Sequence, residues 1–174
     1  GDIPAFTAIN TGTSPVIATI TVTPTFENGG VSCTGPATPF EITVNPTAQV
    51  NPTVDMVVTD GDDIDIPFST INTGGTSTYT WTNTEPTTGL TNTGSSDIGF
   101  TAVNTGTSPI TTTVVVTPTF ENGGNSNSGP TDTFIITVNP TAQIEPIDSL
   151  VFCDEDVIDP IAFTTQNSGG TTTY

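Results

Sequence analysis

The chain has 174 residues with 18 Asp plus Glu and no Lys, Arg or His, giving a formal charge of −18. Without histidine or lysine there is no Ser/His/Asp or Cys/His arrangement, no Schiff-base amine and no histidine metal ligand; without a cation, a phosphate backbone would be repelled, so no nucleic-acid partner is expected. The one catalytic chemistry left is a carboxylate pair of glycosidase type, and no pocket-forming insertion accompanies any Asp or Glu, so the chain is expected not to be an enzyme. No run of 18 apolar residues occurs, so no membrane span is expected in this segment, and no signal peptide is visible. Threonine supplies 41 residues and leucine two, Leu90 and Leu150, beside 17 Gly and 15 Pro. That mixture favours strands and turns over helices, and the fold class expected is all-β.

From the N-terminus, Ala18, Ile20 and Val22, then Phe40, Ile42 and Val44, alternate with other side chains at the period of two that marks inward faces of strands. Glu27-Asn28-Gly29-Gly30 between them reads as a tight hairpin turn needing positive φ. The spaced prolines of Val44–Pro52 make a short, stiff junction. Strands are then expected near Val54–Thr59, Ile64–Thr70, Ser77–Thr82, Ile98–Asn104, Ile110–Thr117 and Thr133–Asn139, with a further short one around Thr119–Glu121. Trp81 falls on the third of these, where its reading as a core anchor stands beside that of an exposed sugar-stacking platform. Six or seven short strands in about 94 residues describe a sandwich of two sheets.

The pattern then repeats. Phe6–Val50 returns 94 residues later as Phe100–Ile144, with 31 of 45 aligned positions identical. Phe68–Tyr79 (FSTINTGGTSTY) returns as Phe163–Tyr174 (FTTQNSGGTTTY), the offset having grown by one residue. Residues 1–45 are therefore expected to be the C-terminal half of one copy, 46–139 a complete copy and 140–174 the N-terminal part of the next. A period this long exceeds solenoid repeats and matches an independently folding domain. Within the alignment Glu41 is replaced by Ile135 and Thr21 by Val115, which places those positions on the outward face or at a sheet margin.

The combination GDIPAFTAINTGTSP, TVTPTFENGG, SCTGPATPFEITVNPTAQV and NTGGTSTYTWTN resembles the PKD-like repeats of very large surface proteins of Bacteroidota. The resemblance covers the whole chain and implies an immunoglobulin-like β-sandwich module present in many copies in a secreted adhesin or surface filament. Relatives of this kind include gliding-motility adhesins, typically exported by the type IX secretion pathway. Thr82 follows Trp81 where the PKD signature has an acidic residue, which places the chain with the PKD-like group. The family defines no catalytic residues, and none are carried over.

Two sets of residues are candidates for a site. The segment bearing Asp60, Asp62, Asp63 and Asp65 corresponds in the next copy to the segment bearing Asp154, Glu155, Asp156 and Asp159, and such carboxylate groups are good oxygen ligands for Ca²⁺. The spacing is not that of an EF-hand, and a solvated surface turn accounts for the same residues. Cys33 corresponds to Asn127 and Cys153 to Thr59. One reading is a disulfide within a repeat, joining the first strand to the loop after the ENGG turn, with both partners outside this chain; it would suit an oxidising compartment. The other is a pair of unpaired buried thiols. Phe26, Tyr79 and Phe120 are the aromatics that the alternating pattern leaves for an exposed surface. Asp148-Ser149-Leu150 and Asp132-Thr133-Phe134 resemble a short O-glycosylation signal, and strand or turn sequence explains both equally.

Two functions of different kind are compatible with these features. One is an extracellular, cell-surface stalk or filament shaft, whose neighbours are further repeats of the same chain and whose external surface or polysaccharide is met through other domains. The other is a calcium-dependent module gripping polysaccharide by avidity. Edge-strand pairing of several copies into a fibre is a third arrangement open to β-modules. A chain lacking Lys and Arg resists trypsin-like proteases, and a high negative charge keeps an array soluble; acidic drift in a marine or halophilic proteome yields the same composition.

Overall fold

The computed structural model describes residues 2–174. The fold is all-β: the described residues form twelve strands and one 3-10 turn and contain no α-helix. In chain order the strands are β1 (Val16–Val22), β2 (Thr25–Asn28), β3 (Val31–Thr34), β4 (Thr38–Val44), β5 (Met56–Thr59), β6 (Asp63–Ile66), β7 (Thr76–Asn83), β8 (Thr93–Ser95), β9 (Ile98–Thr101), β10 (Ile110–Asn122), β11 (Asn125–Ser128) and β12 (Asp132–Asn139), with the 3-10 turn at Pro86–Thr88. The chain falls into two compact units that do not follow the copy boundaries. One takes the chain up to Asn51 together with Ser69–Thr78 and Thr117–Thr131; the other takes Pro52–Phe68, Tyr79–Val116 and Asp132–Tyr174.

The second unit is a β-sandwich-like arrangement. One sheet runs in the order β5-β12-β10-β7-β8, with β5 parallel to β12 and β10 antiparallel to it; β6 and β9 form a separate antiparallel ladder. Along β10 the expected alternation holds, since Thr112, Val114 and Val116 are buried and the residues between them are not. On β12, Phe134, Ile136 and Val138 are likewise buried, while Ile135 is 42% exposed, as its pairing with Glu41 in the alignment required. Ile66, Leu90, Ile98 and Ala102 complete this core. Thr112 is the one polar side chain on its inward row. Its hydroxyl donates to Asn83 Oδ1 and accepts from Glu85 N–H at 3.1 Å, and Asn83 Nδ2 donates to the Leu90 carbonyl at 2.8 Å. Among the described residues no buried side-chain polar atom lacks a partner, so this polar insertion avoids the desolvation penalty of an unmade bond.

Trp81 is the core anchor of this unit. It is 6% exposed, its Nε1 donates to the Ser96 carbonyl at 3.2 Å, and its ring lies against Gly94 with no space for a Cβ there. A buried ring cannot serve as a stacking platform, which removes that reading.

The first unit contains the ladders β1–β4 and β2–β3, and the β10–β11 hairpin from Thr119 to Ser128. Pro118 has no amide hydrogen and precedes the first residue paired with β11; its carbonyl accepts from Gly129 N–H at 3.1 Å. Phe120 follows the same inward alternation and is fully buried, which corrects its assignment to an exposed surface. The first copy departs from its expected inward face. Val22 is 49% exposed and Phe40 41%, and Ala18 is exposed, because β1 and β4 form a two-stranded sheet with no second layer over them.

Departures from the expected strands have local causes. β6 ends at Ile66 because Pro67 cannot donate to the ladder. β10 absorbs the expected segment at Thr119–Glu121 into one 13-residue strand. β8 and β11 are additional strands: TGS and NSNS carry no apolar alternation, and each is held by pairing with a neighbour, Thr82–Thr80 of β7 and Asn122–Thr119 of β10.

Candidate functional site

The acidic turn is a structural turn in the details of its bonding. Asp62 Oδ2 accepts from Thr59 N–H at 2.8 Å, and Asp62 N–H donates to the Thr59 carbonyl at 3.0 Å. Gly61 at φ 90° makes the reversal possible, and its N–H reaches the Ala102 carbonyl at 2.8 Å. Asp60 Oδ1 accepts from Asn104 N–H at 2.8 Å and Oδ2 from the Thr141 hydroxyl at 3.0 Å; Asp63 Oδ1 accepts from the Thr101 hydroxyl at 2.7 Å. Asp65 lies two residues further along β6, on the same exposed face as Asp63. The carboxylates thus serve separate backbone and hydroxyl donors. Among the described residues no three Asp, Glu or Cys side chains converge on a point that could hold a metal ion.

The next copy builds the same turn with different residues. Asp156 Oδ2 accepts from Cys153 N–H at 2.6 Å, Asp156 N–H donates to the Cys153 carbonyl at 3.2 Å, and Glu155 takes the positive φ of Gly61, at 69°. Cys153 takes in this turn the place that Thr59 takes in the other. Asp154 and Asp159 are exposed. Cys33 sits on β3 opposite Phe26, as Asn127 sits opposite Phe120. Both thiols are free and exposed, so neither is a buried one.

A chain with no cation must satisfy every carboxylate from neutral donors. Asp55 accepts from Ile135 N–H at 2.7 Å, Asp97 from Phe68 N–H at 2.8 Å and Asp132 from Thr53 N–H at 2.7 Å. Such charge-assisted bonds are stronger than neutral ones. Asp97 and Asp132 therefore tie loop amides, and Asp55 ties an amide of β12.

The most consistent constellation, and one that the sequence reading missed, is an asparagine clamp at each junction between copies. Asn72 belongs to the NTGG loop after Thr70. Its Oδ1 accepts from Gln49 N–H at 2.7 Å, and its Nδ2 donates to the carbonyls of Thr47 at 3.1 Å and Thr13 at 3.4 Å. Thr73 N–H also reaches the Thr13 carbonyl at 2.9 Å, and Asn51 N–H the Ser69 carbonyl at 2.8 Å. One side chain thus joins the TSP loop of one copy, the Pro46–Gln49 linker and the first loop of the next copy. The second junction repeats the arrangement with Asn167. Its Oδ1 accepts from Gln143 N–H at 2.6 Å, and its Nδ2 donates to Thr141 at 3.1 Å and Thr107 at 3.5 Å. Ser168 N–H reaches the Thr107 carbonyl at 2.8 Å, and Glu145 N–H the Thr164 carbonyl at 2.9 Å. Gly74 at φ 78° lies against Pro15, as Gly169 at φ 77° lies against Pro109. The only sequence signal was the return of Asn-Thr/Ser-Gly-Gly at the same place in two copies.

Two open clefts accompany the junctions. One of about 630 Å³ is lined by Ile17, Thr43–Asn45, Asn122, Gly123 and Asn125–Asn127; the other, of about 260 Å³, by Pro109, Asn139, Pro140, Ala142 and the Asn167–Thr172 turn. Neither is lined by a carboxylate. Compared with known proteins, the chain matches no family model and no curated protein.

Proposed function

We propose that the chain is a repeat segment of a large extracellular, cell-surface adhesin or filament, in which PKD-like, immunoglobulin-like modules act as a stalk carrying a distal adhesive part away from the cell. The observation that supports this most directly is the junction. Two successive copies are joined by the same asparagine clamp, with corresponding distances agreeing to about 0.1 Å. A chain whose copies were independent beads would not need a side chain to tie three segments at each join, whereas a shaft under load gains from a junction of low freedom. The composition supports the same reading: the absence of Lys and Arg denies trypsin-like proteases a cleavage site, and uniform negative charge keeps an array soluble and its modules apart.

Small-angle X-ray scattering of chains lengthened by one, two and three whole copies tests the proposal. A stalk requires the maximum dimension to grow by a constant increment per copy. Growth that falls off with copy number, as for flexibly linked beads, would sink it.

A further inference from the structure

We propose that the parallel joint between β5 and β12, stapled at one end by the carboxylates of Asp55 and Asp132, is the element of the middle copy that resists a pulling force. Its use in the organism rests on the stalk reading; its mechanics do not.

Tension along the chain enters a copy through one linker and leaves through the other. In the middle copy the chain runs from the linker of residues 46–51 through Pro52 toward β5, and from the end of β12 into Pro140 and the linker that follows. The two strands are neighbours and pair in parallel, Met56 with Ile136, Val57 with Thr137, Val58 with Val138 and Thr59 with Asn139. Because parallel strands share a direction, the entry end of β5 and the exit end of β12 lie at opposite ends of the joint. Tension therefore slides one strand along the other and loads all the bonds between them together. A pair loaded at one shared end would instead open bond by bond. Within the sheet β5 has β12 as its one neighbour, so tension that enters β5 reaches the sheet through this joint.

Further bonds lengthen the joint at both ends. Past Thr59, Asp60 N–H donates to the Asn139 carbonyl at 2.9 Å. Ahead of Met56 the ladder has not begun, yet Asp55 Oδ1 accepts from Ile135 N–H at 2.7 Å and Asp132 Oδ2 accepts from Thr53 N–H at 2.7 Å. Each strand thus lends one carboxylate to the backbone of the other. The connection extends from Thr53 to Asp60 on one side and from Asp132 to Asn139 on the other. Thr53 is where tension first meets the joint, and the bonds there are charge-assisted and so stronger than those of the ladder. The counterparts of Asp132 and Asp55 in the neighbouring copies are Thr38 and Ser149. The paired carboxylates are therefore features of this copy and not of the repeat in general.

Forced unfolding is governed by the unfolding rate, which falls when a bond must break before the barrier is crossed. Force spectroscopy of the full 174-residue chain tests the proposal, with the two exposed native thiols removed as Cys33→Ser and Cys153→Ser. Two tethers share one handle, on Pro52→Cys. With the second handle on Ala142→Cys, beyond the exit of β12, the joint is loaded lengthwise; on Thr131→Cys, just ahead of β12, the same joint is peeled from one end. All three positions are exposed. Release of about 300 Å of chain marks the opening of the copy.

At equal loading rate the lengthwise tether should rupture at a force several-fold above that of the peeling tether. Asp55→Ala and Asp132→Ala, each shown to be folded by circular dichroism, should lower the lengthwise force by a larger factor than the peeling force. Equal forces for the two tethers in the unsubstituted chain would overturn the proposal. So would alanine variants that leave the lengthwise force unchanged, or that lower both forces in proportion, as a general loss of stability does. A chain that failed the scattering test yet kept the directional difference would retain the joint and lose only the stalk.

Discussion

Phe26 and Phe120 occupy the same place in the same hairpin, on strands of the same register, yet one is 72% exposed and the other fully buried. The contrast extends along the strands: Val22 and Phe40 are half open to solvent where Val116 and Phe134 are closed. Alternation at a period of two marks the face that is fit for burial, but burial itself requires another surface to lie on that face. In the middle copy that surface is present. For Phe120 it is the Gly75 turn and the preceding linker.

The largest expected effect follows from that pair. Phe120→Ala should cost about 3–5 kcal/mol, the usual range for emptying a buried aromatic site, whereas Phe26→Ala should change stability by less than about 0.5 kcal/mol. Denaturant midpoints followed by circular dichroism give both numbers. Equal losses would mean that the first hairpin is covered in solution by a surface of its own chain.

Much of the scaffold was legible from the residues themselves. The inward rows of β10 and β12, the burial of Trp81, the positive-φ glycines of both ENGG turns and the copy alignment all follow from side-chain period and turn chemistry, which are local. The clamp was not legible in the same way. Asn72 gathers Thr13, Thr47 and Gln49 from two remote segments, and a lone Asn before Gly-Gly reads as an ordinary turn residue. β11 was missed because NSNS has no apolar member, so only its pairing with β10 makes it a strand. The acidic segment was read as either a calcium site or a solvated turn. Its carboxylates accept from separate amides and hydroxyls, which the spacing alone does not reveal.

The two clamps offer a finer comparison. Asn72 is 8% exposed and Asn167 is only half-buried, although their bonds match. Asn72→Ala leaves the half-buried Gln49 amide and the Thr47 carbonyl without this partner, while the Thr13 carbonyl keeps Thr73 N–H, and should cost about 1–3 kcal/mol. Asn167→Ala, with water at hand to replace the lost bonds, should cost under about 1 kcal/mol. Amide hydrogen exchange adds a local readout: protection of Gln49 N–H should drop sharply in the first variant, and that of Gln143 N–H less in the second. Protection of Gln49 unaltered by Asn72→Ala would remove the clamp as the element that orders the junction.

The smallest effect concerns the 3-10 turn at Pro86–Thr88, where the Glu85 carboxylate accepts from the Thr87 hydroxyl at 2.7 Å and from Thr87 N–H at 3.2 Å. These bonds, the hydroxyl first, hold the Glu85 pKa below its ordinary value of 4.5. A carboxyl whose folded pKa is depressed contributes stability that is present above the unfolded value and is lost as pH falls through the folded one. The difference in melting temperature between the native chain and Glu85→Gln should therefore be present near neutral pH, shrink below pH 4.5 and vanish in strong acid. Taking the difference between the two proteins matters here, because protonating the other carboxylates of a chain with charge −18 relieves self-repulsion in both and would mask the cap in either alone. A gap independent of pH would show that the Glu85 side chain acts through its shape or its neutral hydrogen bonds, and not through the charge that the Thr87 donors stabilise.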